Sequence, residues 1–230
     1  MMVKKTGFVV GCLLAFLIFP FFVSARDEIL ADTLKRTTAM KFRVVLDPGH
    51  GGRDSATRAG AISEKHLVLS IAKAVKTRLE QEGFDVVMTR ERDEFVSLSQ
   101  RALVKGDVFI SLHANTVADT VGEGIRSMIK GIEIYTTNHM ERSEEYSGKS
   151  KRLALAFQQQ LSELRGINLR GIKEKSLAVL NQNQSPAILI ELGFISNKED
   201  LAFLINHLNY PNIAAAFVKA IKIYRSNLSR

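Results

Sequence analysis

A chain of 230 residues, of which 46% are hydrophobic and 24% charged, has room for one well-packed domain or two small ones. Its net charge of +8 indicates an acidic partner, such as nucleic acid, an anionic membrane surface or an acidic polymer. The sequence contains no basic helix, zinc-finger spacing or aromatic RNA-binding motif, so we expect no nucleic-acid partner.

The first 25 residues have the three parts of a secretory signal. Two lysines precede an apolar run from 7 to 23, and the small residues at its end have the spacing of a signal-peptidase site. We therefore expect a signal peptide cleaved after Ala25 and a protein exported to the periplasm or cell envelope. The alternative is an uncleaved membrane anchor, since about 17 apolar residues just suffice to span a bilayer.

The only cysteine, Cys12, lies inside this signal segment. The chain that follows cannot form a disulfide, a cysteine zinc site or a thiol nucleophile. Residues 26–40 are polar and lack a clear period, which indicates a linker. We expect the folded domain to comprise residues 41–230.

Strand and helix patterns alternate along this domain, without a repeat or a proline- and serine-rich linker. Strands are expected at 42–46, 84–90, 107–113, 131–136, 177–180 and 187–191. Helices are expected to begin near 64, 98, 153, 197 and 211. This alternation predicts a single α/β domain with a mostly parallel or mixed central sheet of about six strands, flanked by helices.

Three segments have weaker patterns. Residues 131–136 alternate between apolar and polar, which predicts an edge strand with one solvated face. Residues 114–130 are expected to form a long loop that contains glycines. Residues 139–149 are polar and charged, so we expect a mobile surface loop there.

Three of the predicted strands end in side chains that bind metals or transfer protons. His50 follows the first strand inside a glycine-rich turn, His113 ends the third strand, and Glu191 ends the last. In open α/β sheets, ligands bind at the carboxyl ends of the strands. We therefore expect these three side chains to share one crevice.

His50 and His113, together with Glu64, are candidate zinc ligands. Glu64 opens the helix after the glycine turn, and two histidines with one glutamate are a common catalytic zinc set. Glu191 is the candidate proton shuttle, because a carboxylate after a buried apolar run is hard to explain as core packing.

Each of these residues also has a structural interpretation. A histidine after a strand is often only hydrogen-bonded, and a glutamate at a helix start often only complements the helix dipole. The glycine turn could cradle an anion, although it lacks the lysine of a phosphate loop. The other histidines, His66, His139 and His207, are interpreted as structural or surface residues.

Several ordered motifs resemble those of the zinc-dependent N-acetylmuramoyl-L-alanine amidases of the type-3 family, which act on the bacterial cell wall. The resemblance covers about residues 42–226. Its main motifs are Asp47-Pro48-Gly49-His50-Gly51-Gly52, Gly60-Ala61, Glu64-Lys65, Ser111-Leu112-His113-Ala114-Asn115 and Glu191-Leu192-Gly193-Phe194-Ile195-Ser196-Asn197. Weaker matches are Thr89-Arg90, Leu98 with Arg101, Arg170-Gly171-Ile172-Lys173 and Val179-Leu180.

The resemblance implies hydrolysis of the amide bond between N-acetylmuramic acid and the L-alanine of the peptidoglycan stem peptide, as in wall remodelling and daughter-cell separation. Matched position by position, it makes His50, Glu64 and His113 the ligands of one zinc ion per chain and Glu191 the catalytic glutamate. We also expect Asp47 to support the loop or His50. Asn115 is expected either to support His113 or the substrate, or to be a turn residue only.

Two other functions remain open from the sequence. One is another zinc hydrolase of peptidoglycan, such as a peptidase or a deacetylase, and the other is a wall-binding protein without catalysis. Some family members have a helical insertion that blocks the zinc until an activator protein displaces it. Residues 139–149 are too few for such a plug, so we expect an open site. We expect a monomer with peptidoglycan as partner, an activator left open, and membrane contact only through an uncleaved N-terminal segment.

Overall fold

Strand β1 (Arg43–Pro48) is buried at every residue after its first and leads directly into the glycine turn. The computed structural model describes residues 41–138 and 140–228. The expected signal peptide, the linker and His139 lie outside those residues. Among the described helices, none is both long and apolar enough to cross a membrane.

Seven α-helices, one short 3₁₀ helix (His207–Asn209) and seven further strands follow β1 in the described part of the chain. The strands are β2 (Arg58–Ala59), β3 (Ile62–Ser63), β4 (Asp85–Met88), β5 (Val108–Asn115), β6 (Ile132–Thr136), β7 (Leu169–Glu174) and β8 (Ala187–Phe194). The helices are α1 (Glu64–Gln81), α2 (Leu98–Ala102), α3 (Glu123–Met128), α4 (Glu144–Leu161), α5 (Ala178–Asn181), α6 (Lys198–Ile205) and α7 (Tyr210–Leu228).

Six strands form one mixed sheet in the order β4-β1-β5-β8-β6-β7. The first four strands of this order are mutually parallel. Strand β6 runs antiparallel to β8, and β7 runs parallel to β6. The predicted single α/β domain with a mixed six-stranded sheet is confirmed. Strands β2 and β3 form a separate small hairpin in the loop between β1 and α1.

One face of the sheet is apolar along its whole length and packs against α1, α4 and α7. The buried residues of these three helices lie in the same large core. Helices α4 and α7 meet through Phe157 and Phe217, whose ring centroids are 4.9 Å apart. The strand residues of this core include Val44, Leu46, Val108, Ile110, Ile134, Ile188 and Ile190.

The other face is apolar only at one end of the strands. There a smaller core covers the sheet, with Val45, Phe109 and Leu189 packed against Val179 and Leu180 of α5. Side chains on the same face recur every second residue along a strand. Beyond this smaller core, towards the carboxyl ends of the parallel strands, the side chains on this face are polar. They are Asp47, Ser111, His113, Glu133 and Glu191. The fold therefore collects polar side chains at one end of one face.

The prediction that residues 131–136 form an edge strand is wrong. Strand β6 lies between β8 and β7, and Ile132, Glu133 and Ile134 are buried. The alternation that indicated a solvated face comes from Glu133, whose buried carboxylate is paired with Arg170 and Lys173. The edge strand on this side of the sheet is β7, which the sequence pattern did not indicate.

Three further segments differ from the predictions. Residues 177–180 were expected to be a strand but enter the short helix α5, because so brief an apolar run fits either period. Residues 144–149 belong to α4 rather than to a loop, since Ser143 caps that helix and two glutamates complement its dipole. The expected long loop of residues 114–130 contains α3, none of whose residues is buried.

Candidate metal centre

His50 lies in the turn after β1, and Arg101 holds its backbone carbonyl oxygen. Its φ of 58° is in the left-handed region, and Arg101 Nη2 donates a 2.6 Å hydrogen bond to its carbonyl oxygen. On the ring, Nδ1 lies 2.9 Å from Asp54 Oδ2, and Nε2 lies 3.3 Å from Glu64 Oε1. The ring is therefore oriented by a carboxylate on each nitrogen.

Glu64 is the first residue of α1, and only 3% of it is exposed. Its Oε2 accepts hydrogen bonds from the hydroxyl and the backbone N–H of Thr57, at 2.9 and 3.4 Å. Its Oε1 accepts one from the backbone N–H of Ala114, at 3.1 Å. These bonds fix the carboxylate with Oε1 towards the histidines.

His113 comes from β5, and its ring lies against the backbone of the glycine turn. Its Nδ1 is 3.0 Å from Glu64 Oε1, and its ring centroid is 4.9 Å from that of His50. A Cβ on Gly49 would come within 2.3 to 2.7 Å of the His113 ring. Only glycine at position 49 leaves room for the ring.

The three side chains fit a zinc ion. One ligand atom from each of His50, Glu64 and His113 lies within 4.8 Å of the others. Ligand atoms of a tetrahedral zinc ion, each about 2.0–2.1 Å from the metal, are about 3.3 Å apart. The 3.3 and 3.0 Å separations from Glu64 Oε1 to the two rings are close to that value.

Electrostatics favour an anionic Glu64 between the two rings. Burial raises the pKa of Glu64, but hydrogen bonds and charge interactions with His113 and His50 outweigh it and hold the pKa far below its usual range. For His50, burial lowers the pKa, and Glu64 and Asp54 together raise it above its ordinary value. The Glu64 carboxylate is therefore ionised, and available as a metal ligand, near neutral pH.

Glu191 lies beside this cluster on β8. It is directly opposite His113 in the parallel pair of strands and opposite Glu133 in the antiparallel pair. Within the described residues, its buried Oε2 has no hydrogen-bond partner. Burial, together with the nearby charges of Glu64 and Glu133, raises the pKa of Glu191 to about 7, although the two histidines oppose the shift.

Asp47 does not contact His50 but supports the turn through Arg101. Its buried carboxylate accepts hydrogen bonds from Thr89 Oγ1, Arg101 Nη1 and Ser111 Oγ, at 2.6, 2.6 and 2.7 Å. Arg101 also donates to the carbonyl oxygens of Pro48 and His50. The structure thus places Asp47 behind the turn and links it to His50 by one intermediate residue.

Asn115 makes no direct contact with His113. It is the last residue of β5, and its Oδ1 accepts a 2.8 Å hydrogen bond from the backbone N–H of Thr116. Its Nδ2 lies 3.4 Å from Glu133 Oε2. Its expected roles, in support of the site or in a turn, stay predictions.

Sequence reasoning missed several supporting residues. Asp54 is four residues after His50 in the same polar loop, a spacing that could have indicated it. Arg90 donates to the carbonyl oxygens of Pro48 and Gly49, at 2.9 and 2.7 Å, and had been noted only as part of a weak motif. Thr57 and Glu133 carried no distinctive local pattern.

The site opens into a cleft of about 550 Å³. His50, Asp54 and His113 line its polar side, while Phe95 and Leu98 belong to an apolar wall. The other described histidines lie elsewhere, as expected. His66 pairs with Asp93 at 3.3 Å, and the ring of His207 stacks on Tyr210.

Known proteins are similar to this chain in both sequence and fold. The family model for N-acetylmuramoyl-L-alanine amidase matches residues 44–223. "Probable cell wall amidase LytH" of Staphylococcus epidermidis is 34% identical over 208 residues, which cover 89% of this chain and 64% of that protein. The chain therefore spans slightly less than two thirds of that relative's length.

Two solved structures are also similar. The N-acetylmuramoyl-L-alanine amidase of Clostridium difficile 630 is 30% identical with a TM-score of 0.70, and the match covers 81% of this chain and 97% of that one. The CwlD amidase of Clostridioides difficile, solved in complex with the GerS lipoprotein, is 25% identical with a TM-score of 0.68, covering 80% and 98%. With a family model that matches most of its length, the chain belongs to the N-acetylmuramoyl-L-alanine amidase family.

Proposed function

We propose that this protein is a zinc-dependent N-acetylmuramoyl-L-alanine amidase, which hydrolyses the amide bond between N-acetylmuramic acid and the L-alanine of the stem peptide. The observation that carries the proposal is the convergence of His50, Glu64 and His113 beside the unpartnered carboxylate of Glu191. Family membership supports the choice of this amide bond over other bonds in peptidoglycan.

His50, Glu64 and His113 would hold one zinc ion. When bound, zinc supplies Lewis-acid polarisation of the scissile carbonyl and lowers the pKa of water. Asp54 keeps the His50 ring in place from its other nitrogen, as carboxylates commonly do for metal-binding histidines. Thr57 and the Ala114 N–H keep the Glu64 carboxylate from rotating.

Glu191 transfers the protons of the reaction. With a pKa of about 7, its carboxylate can accept a proton from the attacking water and then donate it to the nitrogen of the leaving L-alanine. Among the described residues, none is a hydrogen-bond partner of its Oε2, so no protein group competes with these two contacts.

The proposal also includes the cellular setting. We place the protein in the periplasm or cell envelope as a secreted monomer, with residues 1–25 as a cleaved signal peptide, 26–40 as a linker and 41–230 as the catalytic domain. Peptidoglycan is the partner. The CwlD amidase was solved with a lipoprotein partner, so an activator protein is a second candidate partner here.

Digestion of purified peptidoglycan tests the function. We expect the zinc-loaded protein to release intact stem peptides that begin with a free L-alanine, as identified by mass spectrometry, and a chelator to abolish the release. Glu191→Gln is expected to retain one equivalent of zinc and to lose activity by a factor of about 10²–10⁴.

Other products would contradict the proposal. Shortened stem peptides would indicate a peptidase, and released acetate would indicate a deacetylase. Binding of peptidoglycan by the zinc-loaded protein without any release would indicate a wall-binding protein.

A further inference from the structure

The candidate metal centre has different surroundings on its two sides. Across the sheet, His113, Glu191, Glu133 and Gly171 lie side by side on β5, β8, β6 and β7. Arg170 and Lys173 of β7 make that end of the row cationic, whereas the cleft at His50 and His113 includes the apolar side chains of Phe95 and Leu98. A substrate that follows this row therefore meets a different environment at each end.

The cationic side is built around the buried carboxylate of Glu133, which is 2% exposed. Its Oε1 accepts hydrogen bonds from Arg170 Nε and Lys173 Nζ, at 2.6 and 2.5 Å. Its Oε2 accepts one from the Tyr135 hydroxyl, at 2.7 Å. Two cations on one carboxylate leave an excess positive charge, fixed in position by a buried anchor.

Arg170 and Lys173 remain available to a ligand. Their side chains are 36% and 41% exposed, so each reaches solvent while its hydrogen bond to Glu133 holds it in position. Beyond Glu133, Arg170 donates only weakly to the Lys130 carbonyl oxygen, at 3.4 Å. An arginine has five N–H donors and a lysine three, so both can bind a second acceptor. Between them, Gly171 has no side chain, and a Cβ there would meet open space.

The proposed reaction fixes the direction of the substrate, and the inference rests on that proposed function. The scissile carbonyl must lie beside His50, Glu64 and His113, and the leaving nitrogen must lie beside Glu191. The peptide therefore leaves this row on the Glu191 side, and the next positions in the row are Glu133 and Gly171.

The distances suit the second residue of the stem peptide. Neighbouring strands are about 4.8 Å apart, so the Arg170–Lys173 pair begins about 10 Å from the Glu191 strand and its side chains reach back towards Glu133. Each peptide residue advances the chain by up to about 3.8 Å. The second stem residue is a D-glutamate joined through its side-chain carboxyl, so its α-carboxyl group is either free or amidated.

We propose that Arg170 and Lys173, held by Glu133, bind the free α-carboxylate of the second stem residue, so that the enzyme discriminates against stem peptides amidated at that position. A carboxylate gains charge-assisted hydrogen bonds from both side chains. A carboxamide at the same place has no negative charge and offers only a neutral oxygen as acceptor.

Two muramyl tripeptides that differ only in this α-carboxyl group, free or amidated, test the inference. For the zinc-loaded protein we expect kcat/KM to be about fivefold to twentyfold higher for the free acid, mainly through a lower KM. Arg170→Gln and Lys173→Gln are each expected to reduce that ratio to below about threefold. Because the ratio is taken within one variant, loss of folded protein cancels.

Arg78→Gln is the matched control, since Arg78 is a half-exposed arginine paired with Glu82 on α1. It should keep the wild-type ratio. Equal kcat/KM for the two substrates, or a preference that survives both Arg170→Gln and Lys173→Gln, would overturn the inference and leave the amidase function standing. If the zinc-loaded wild type hydrolysed neither tripeptide, the proposed function would fail, and the inference with it.

Discussion

The His50 ring is oriented by the Asp54 carboxylate, whose Oδ2 lies 2.9 Å from Nδ1. This contact leaves Nε2 towards Glu64 and disfavours rotation of the ring. Removing such a carboxylate partner typically lowers metal affinity 10–100-fold. We therefore expect Asp54→Asn to bind zinc about 10–100-fold more weakly than the wild type, as measured by competition with a chromogenic chelator.

Asp85→Asn provides the control for Asp54. Asp85 is also partly exposed and bonded to one basic side chain, Arg43, but it lies at the start of β4, at the opposite end of the sheet. Its replacement should leave zinc affinity unchanged. Equal affinities for Asp54→Asn and Asp85→Asn would show that the contact with His50 does not support metal binding.

At the residue scale, the sequence was sufficient to predict the side chains that lie at strand ends or at the start of a helix. His50, His113 and Glu191 each follow an apolar run, and Glu64 opens an amphipathic helix, so topology alone brings them together. Asp54, Arg90 and Arg101 could not be found in this way. They form hydrogen bonds with backbone carbonyl oxygens or with another side chain. Such contacts depend on the paths of loops, which the periodicity of the sequence does not predict.

At the scale of elements, the turn after β1 approaches β5 so closely that no side chain fits at Gly49. A Cβ there would lie 2.3 to 2.7 Å from the His113 ring, well inside contact distance. Gly49→Ala must therefore displace either the ring or the turn. We expect a loss of zinc affinity of at least about tenfold, since even changes behind the ligands typically cost 10–100-fold, measured by the same chelator competition, together with a lower thermal midpoint.

Gly124→Ala is the matched control for that change. A Cβ on Gly124 would meet open space in the exposed helix α3, where alanine is favoured over glycine by up to about 1 kcal/mol. It should leave zinc affinity unchanged and thermal stability unchanged or slightly higher. Normal zinc affinity in Gly49→Ala would mean that the ring position can adjust without cost.

The prediction errors at β6 and β7 share one physical cause. Strand β6 is charged at Glu133, and β7 is charged at Arg170 and Lys173, so each pattern alone indicates solvent. Arg170 and Lys173 contact the Glu133 carboxylate only after the strands have paired. An apolar helical period, by contrast, is a local pattern, and the helices expected to begin near 64 and 211 are present as α1 and α7, with their buried residues in the large core.

At the scale of the whole molecule, one face of the sheet contributes to stability and the other carries the reactive side chains. One face is occupied by the large apolar core, and the other presents its polar side chains at a single end of the strands. Burying Glu191 on that second face costs stability whenever its carboxylate is ionised. The metal-free protein should therefore be stabilised by a substitution that removes its activity.

The pKa of Glu191 sets the pH range of this effect. It is raised from 4.5 to about 7 in the folded protein, mainly by burial, so the folded state retains a proton that the unfolded state releases. The free energy of unfolding of the metal-free wild type should then fall as pH rises from about 4.5 to about 7, by at most about 3 kcal/mol. Glu191→Gln cannot titrate and should lack this fall.

Urea unfolding of metal-free protein at several pH values between 4 and 8 measures the difference. We expect Glu191→Gln to gain stability relative to the wild type across that range, by about 1–3 kcal/mol between its ends. The slope is the informative quantity, since the buried amide of the variant adds an offset that does not depend on pH. Glu163→Gln is the control. Glu163 is exposed, and its Oε2 lies 3.9 Å from Lys219 Nζ, so the plot of stability against pH for this variant should run parallel to that of the wild type. A Glu191→Gln curve that also ran parallel would show that the folded protein does not hold this proton, and the carboxylate would then lack the elevated pKa that proton transfer at neutral pH requires.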